Sequence, residues 1–186
     1  MYKDKSLVKY IEDLAAKIPA PGGGSAACLV SCLGVSLLEM VVNFTLGKKA
    51  YAKYNKSLKK ILIACAILRK IFLDLLDADI SAYRKKDAGN SLKIPLKACE
   101  LSFKGIKLLP GLAQRTNPAL ASDLVMAAIL LEAGFSSAYF NVEINLMNIK
   151  NSQEALGIRR NLSAKSKLVK KIRQDLEVEG GKIIRR

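Results

Sequence analysis

Two groups of residues in this 186-residue chain have the types and spacing to do chemistry. The first is Pro19-Ala20-Pro21-Gly22-Gly23-Gly24-Ser25, which runs directly into an apolar segment ending at Leu46. Glycines ahead of a long helix let backbone approach a ligand with no Cβ in the way. They also leave the N–H groups of the helix start facing that ligand, where an anion or a polar ring edge is favoured. Pro19 and Pro21 end whatever helix precedes them. The second group is Asp74, Asp77 and Asp79. The chain contains no histidine, so proton transfer falls to Asp, Glu, Lys, Tyr or Cys. A carboxyl raised in pKa by an apolar site is a usable general acid. Asp79, followed by Ile80 and Ala82, has more apolar company than Asp77, but the residues alone leave both open.

Two standard glycine-loop chemistries do not fit. Gly22-x-Gly24-x-x-Ala27 spells the dinucleotide fingerprint, yet the segment before it is helical and no sheet partner follows. A phosphate-cradling loop needs a Lys-Ser/Thr pair closing the glycines, and Ser25-Ala26-Ala27-Cys28 has none. A glycine-lined helix corner without a ligand remains the alternative. Cys28, Cys32, Cys65 and Cys99 form no C-x-x-C pair, so neither a zinc site nor a disulfide framework is expected. The cysteines read as small core residues in a reducing cytoplasm, and no metal is expected.

Two further patterns point to ligand contacts. Gly134, Ser137, Asn141, Asn145 and Asn148 draw a small and polar line down an otherwise apolar helix. Asparagine is a poor helix former, which favours amides that pair across helices or grip a ligand over a merely solvated face. From Lys48 to Lys70 there is no acid, and Lys49, Lys53, Lys56 and Lys60 fall on one helical face. With the mostly basic segment from Lys150 to Arg186 and a formal charge of +15, this calls for an anionic partner, either nucleic acid or a small polyanion.

The elements that must position these residues are helices. The composition is rich in Ala, Leu and Ile with few aromatics, and no segment alternates convincingly. The expectation is an all-α, single-domain bundle of about six helices over residues 1–178, with 179–186 a frayed basic tail. Leu7, Ile11, Leu14 and Ile18 mark the inner face of a first helix capped by Ser6. The Ser25–Leu46 segment, about 33 Å long as a helix, is the central core element. It is long enough to span a bilayer, but its line of Ser25, Cys28, Cys32, Ser36, Glu39 and Asn43 suits a protein interface better than lipid. A third helix is expected from about Ala50 to Arg84. A fourth has Pro95 in its first turn, a fifth is capped by Ser122 or Asp123 and reaches Lys150, and a sixth is opened by Asn151-x-x-Glu154. No signal peptide is expected, since Lys3, Asp4, Lys5 and Lys9 interrupt any apolar run.

Four blocks, in order, resemble the folate cyclodeaminase/cyclohydrolase family: Pro19 to Ala26, Glu39 to Tyr51, Asp79-Ile80-Ser81-Ala82-Tyr83, and Ser122-Asp123 with Asn141-Val142-Glu143-Ile144-Asn145. The resemblance reaches from the first helix to about Lys150. It implies an all-helical subunit that forms a homodimer, with tetrahydrofolate bound where subunits meet. The implied reaction converts 5-formimidoyl-tetrahydrofolate to 5,10-methenyl-tetrahydrofolate and ammonia; the alternative is a cyclohydrolase that interconverts methenyl and formyl forms with water. It places the catalytic carboxyl at Asp79. It places substrate contacts at Gly22, Gly23, Gly24, Ser25, Lys48, Lys49, Ser122, Asp123, Asn141 and Asn145. The asparagine amides and Asp123 suit a pterin, and the Lys48–Lys60 stretch suits a polyglutamate tail. The sequence departs from the family pattern between Ala82 and Pro95, where relatives commonly carry an insertion, and at Thr116, where a glycine often precedes Asn117. A non-catalytic nucleic-acid-binding protein is the alternative of another class.

Overall fold

A computed structural model describes residues 1–147 and 152–185. Six α-helices make up the fold, and no strand occurs among the described residues. They are α1 (Leu7–Ala15), α2 (Gly23–Thr45), α3 (Asn55–Arg84), α4 (Ala88–Ile106), α5 (Ala121–Leu146) and α6 (Ser152–Ile184), with short 3-10 turns at Tyr2–Asp4, Lys49–Tyr54 and Pro118–Leu120.

α2 packs on α5, α3 and α4, α5 also packs on α4 and α6, and the shared core includes Val35, Leu38, Phe72, Leu131 and Phe135. α2 and α5 run antiparallel, because Gly23 lies beside Asn141 at one end while the Asn117 N–H donates to Thr45 Oγ1 at 3.0 Å near the other. Between them the backbones approach closely. A Cβ on Gly34 would stand 3.0 Å from the Leu131 backbone nitrogen, and one on Gly134 would stand 3.0 Å from Ser31 Cβ and press on its hydroxyl. Ser31 Oγ and Ser102 Oγ share a buried 2.8 Å hydrogen bond there, which satisfies both hydroxyls between α2 and α4. By length and apolarity α2 and α5 could each cross a membrane; their buried faces instead line this protein core.

Several sequence expectations need correction. The α1 residues Leu7, Ile11 and Leu14, with Ile18 beyond it, are exposed, and the one buried side chain of α1 is Tyr10. Ser6 does cap α1, accepting the Lys9 N–H at 3.2 Å. α3 starts at Asn55, since Lys49–Tyr54 forms a 3-10 turn with a different residue period. The turn breaks the expected continuous lysine face, placing Lys49 and Lys53 on it and Lys56 and Lys60 on α3. α4 begins earlier than Pro95 implies, because Asp87 caps it by accepting the Asn90 N–H at 3.0 Å, and Pro95 lies inside the helix. α5 starts at Ala121 without a side-chain cap, so Ser122 and Asp123 sit in its first turn rather than before it. α6 continues through Ile184, where a tail was expected, with Gly180 packed closely on Val125 of α5. The Asn151 cap, like Asn148 and Lys150, lies outside the described residues.

Candidate active site

A pocket of about 330 Å³ opens where the N-terminus of α2, the C-terminal part of α3 and the C-terminal part of α5 meet. Gly22, Gly23 and Gly24 form one wall, Asp79 and Tyr83 of α3 another, and Asn141, Ile144 and Asn145 of α5 a third, with Ser91 of α4 at the edge. The α2 start is fixed by Ser25. Its hydroxyl donates to the Gly22 carbonyl at 2.9 Å and accepts the Gly22 N–H at 3.2 Å, which closes the glycine turn on itself. The Ala20–Pro21 peptide just before it is cis.

Asp79 lies directly against this turn. Its carboxyl occupies the space that a side chain at residue 24 would need: a Cβ there would stand 2.6 Å from Asp79 Cγ. Gly24 is therefore required by the carboxyl itself. Burial pushes the Asp79 carboxyl above the usual carboxylate range, against the opposing pull of the nearby Ser25 backbone N–H. The result is a carboxyl poised to hold a proton where ordinary surface aspartates have lost theirs. The Ser25 backbone N–H nearby favours the charged form once that proton leaves.

The neighbouring aspartates are engaged elsewhere. Asp77 accepts the Tyr2 N–H at 2.6 Å and the Lys3 N–H at 3.4 Å, tying the N-terminal segment to α3. Asp74 pairs with Lys3 Nζ at 2.7 Å. Of the three, Asp79 alone lines the pocket.

Across from Asp79, Asn141 Nδ2 donates to the Ser137 carbonyl at 2.9 Å and Asn145 Nδ2 to the Asn141 carbonyl at 2.6 Å. Anchoring one amide hydrogen on the previous turn fixes each amide plane, and the amide oxygens and second hydrogens are what a polar ring would meet. Gly23 sits beside this group, since its missing Cβ would be 3.7 Å from the Asn141 amide.

The remaining expected contacts are placed differently. Ser25 is buried behind the turn, bonded to Gly22 and to Tyr10, so its backbone N–H faces Asp79 while its hydroxyl does not reach the pocket. Lys48 and Lys49 are exposed beyond the C-terminus of α2, a helix length of about 33 Å from the glycines. Ser122 and Asp123 lie about 27 Å along α5 from Asn141. The structure thus gathers Gly22, Gly23, Gly24, Asp79, Asn141 and Asn145 at one end of the α2–α5 pair and puts Lys48, Lys49, Ser122 and Asp123 towards the other. Tyr83, Ser91 and Ile144 were not singled out as contacts. Tyr83 had a visible signal in its i+4 spacing from Asp79, which puts both on one face of α3. No cluster of three or more metal-ligating side chains occurs among the described residues.

The chain matches the protein family described as formiminotransferase-cyclodeaminase over residues 6–87 and 85–164. It is 28% identical to the methenyltetrahydrofolate cyclohydrolase of Methylorubrum extorquens, a match covering 78% of this chain and 81% of that protein. It is 29% identical to the formimidoyltransferase-cyclodeaminase of Rattus norvegicus over 78% of this chain, but spans only 31% of that longer protein. Among solved structures, the formiminotetrahydrofolate cyclodeaminase of Thermotoga maritima superposes with a TM-score of 0.83 at 26% identity, covering 98% of this chain and 97% of that one.

Proposed function

Because this chain belongs to the formiminotransferase-cyclodeaminase family, we propose that it is a tetrahydrofolate one-carbon enzyme. It converts 5-formimidoyl-tetrahydrofolate to 5,10-methenyl-tetrahydrofolate with release of ammonia. The observation that carries this reading is the Asp79 carboxyl, raised by burial, set against the glycine turn and sharing a pocket with two anchored asparagine amides. In the reaction N10 adds to the amidine carbon, giving a tetrahedral centre bonded to N5, N10 and the departing nitrogen. One proton from N10 and one from Asp79 bring that nitrogen to ammonia, the C–N bond breaks, and the methenyl cation forms across N5 and N10. The Asp79 carboxylate then recovers a proton from solvent. Asn141 and Asn145 hold the pterin edge, and Gly22 and Gly23 let it approach the backbone.

The functional unit is a homodimer. α2 exposes Leu33 and Phe44, and α5 exposes Met126, Ile129, Phe140 and Ile144, with Met147 just beyond its end; Phe140 is 78% exposed and Phe44 60%. Apolar surface of this extent on two adjacent helices needs a cover. A two-fold axis through the middle of this face lays each α2–α5 pair antiparallel to its copy. Lys48, Lys49, Ser122 and Asp123 of one protomer then meet the pocket of its partner, where the lysines accept the carboxylates of a folate polyglutamate tail. The four cysteines are buried free thiols, which suits a reducing, cytoplasmic setting. The chemistry derived from these side chains uses no metal.

A second reading is methenyltetrahydrofolate cyclohydrolase, favoured by the relative of that name that matches along most of its own length. In that reaction Asp79, ionised, takes the proton of a water adding to the methenyl carbon. Supplying the protein with 5-formimidoyl- and with 5,10-methenyl-tetrahydrofolate separates the two. Methenyl absorbance rising with equimolar ammonia supports the first, and methenyl loss well above the spontaneous rate supports the second. Neither change, alongside tight salt-sensitive binding of RNA, would replace both with a nucleic-acid function.

A further inference from the structure

The buried Tyr10 has no part in the chemistry above, yet it is bonded to the turn that holds Asp79. It is the one side chain of α1 that enters the core, 4% exposed. Its hydroxyl lies 3.0 Å from Ser25 Oγ. A serine hydroxyl has one proton and two lone pairs. The Ser25 proton goes to the Gly22 carbonyl and one lone pair takes the Gly22 N–H, so the phenol of Tyr10 is the donor that fills the other. The Ser25 hydroxyl is thereby saturated, and the turn is held from α2's own backbone and from α1. The Asp79 carboxyl packs against this same turn, 2.6 Å from where a Cβ of Gly24 would stand, and the Ser25 backbone N–H pulls it towards its charged form.

Tyr10 is itself held in place. Its ring meets the Tyr2 ring edge-on at 5.6 Å, and the Tyr2 N–H donates to Asp77, two residues before Asp79 on α3. The Tyr2 hydroxyl donates to Asp13 of α1 at 2.6 Å. The N-terminal segment therefore bridges α3 and the glycine turn, and the bridge ends at the tyrosine hydroxyl.

We propose that Tyr10 is a positioning residue of the reaction: its hydroxyl fixes Ser25, and through the glycine turn that Ser25 closes it sets where the Asp79 carboxyl sits. This rests on the assignment of Asp79 as the acid. The titratable groups facing Asp79 are Tyr10 from α1, Cys28 from α2 and Tyr83 from α3, while α5 presents the neutral Asn141 and Asn145. Burial lifts the Cys28 thiol to about 12 and raises Tyr10 as well, so neither ionises in the working range.

The test is Tyr10→Phe, which keeps the ring against Tyr2 and removes only the hydroxyl. kcat is expected to fall about tenfold or more with KM within about threefold, the pattern of a misplaced reacting group rather than lost substrate contacts. An acid that must be protonated sets the alkaline limb of the kcat profile, and a loosened Ser25 N–H no longer favours the carboxylate. That limb should therefore move to higher pH. Ser25→Ala should produce the same shift, and the double variant should be no worse than Ser25→Ala alone, since both act through one bond. Leu162→Ala, in the core of α6, supplies a comparable drop in Tm from outside this bridge. If Tyr10→Phe leaves kcat and the alkaline limb at wild-type values, or if it loses activity without moving the limb as Leu162→Ala does, Tyr10 is only structural and the proposal is overturned. Wild-type turnover in Asp79→Asn would instead overturn the assignment beneath it.

Discussion

The most direct structural consequence of the site is that a side chain at residue 24 must displace the Asp79 carboxyl. In Gly24→Ala the new Cβ would stand 2.6 Å from Asp79 Cγ and 2.7 Å from Oδ2. Carbon atoms in ordinary contact sit about 3.5–4.0 Å apart, so the carboxyl must retreat by about 1 Å. A displacement of that size at a reacting group is worth about 10²-fold in rate. Stability moves much less. Overpacking costs about 1–3 kcal/mol, while alanine in place of glycine inside a helix returns about 1 kcal/mol. The net loss is about 0–2 kcal/mol, or less than about 8 °C in Tm for a chain of this size. Gly22→Ala is the matched control, because a Cβ there meets nothing within 4 Å and the backbone at φ −147° accepts it. It should keep kcat within about threefold and show any effect in KM, since residue 22 lines the pocket. The assay is steady-state methenyl formation for both variants beside thermal melts. Gly24→Ala turning over within about threefold of wild type would refute the close contact between Asp79 and the turn.

Further outcomes follow from the same geometry. Asp79→Asn should raise Tm at neutral pH. A carboxyl whose folded pKa lies above its ordinary value of 3.8 lowers stability as pH climbs from there through the raised folded value, and the amide removes that penalty. The gain should vanish below about pH 3.8, and a constant gain across pH would count against burial as its cause. Gly134→Ala should destabilise by about 1–3 kcal/mol in denaturant melts, since its Cβ presses on Ser31 between α2 and α5; an unchanged midpoint would show that the two helices can part there. Phe140→Glu should turn the dimer into monomers by sedimentation and raise KM for polyglutamate folates. A wild-type protein monomeric at micromolar concentration would remove the two-fold arrangement.

How much of this was legible in the residues differs by element. The glycine turn and Asp79 could be read because few structures other than a ligand corner or a tight helix contact need three successive glycines before a long helix. The structure shows the tight contact, with Gly24 leaving room for a carboxyl, at the edge of a pocket. The asparagine line was visible for a similar reason, since amides in an apolar helix require partners. The α1 stripe of Leu7, Ile11 and Leu14 was misread because periodicity reveals an apolar face without revealing what covers it, and among the described residues nothing does. Tyr10 lies on the same i, i+3, i+4, i+7 line as Leu7, Ile11 and Leu14, and the line does not show which of its members is covered. The lysine face failed at Lys49–Tyr54, where a 3-10 turn replaces the helical period on which the face was drawn. The separation of Lys48, Lys49, Ser122 and Asp123 from the pocket follows from the antiparallel run of α2 and α5, a long-range relation that residue spacing does not encode.

The proposed reaction depends most directly on Asp79 protonating the departing nitrogen. The measurement is turnover of 5-formimidoyl-tetrahydrofolate by wild type and Asp79→Asn, read as methenyl absorbance and released ammonia, with folate affinity measured on the same preparations. The account predicts equimolar methenyl and ammonia from wild type. It predicts a loss of about 10² or more in kcat for Asp79→Asn, with folate affinity largely kept. Near-wild-type turnover by Asp79→Asn, or loss of turnover only in step with loss of folate binding, would contradict it.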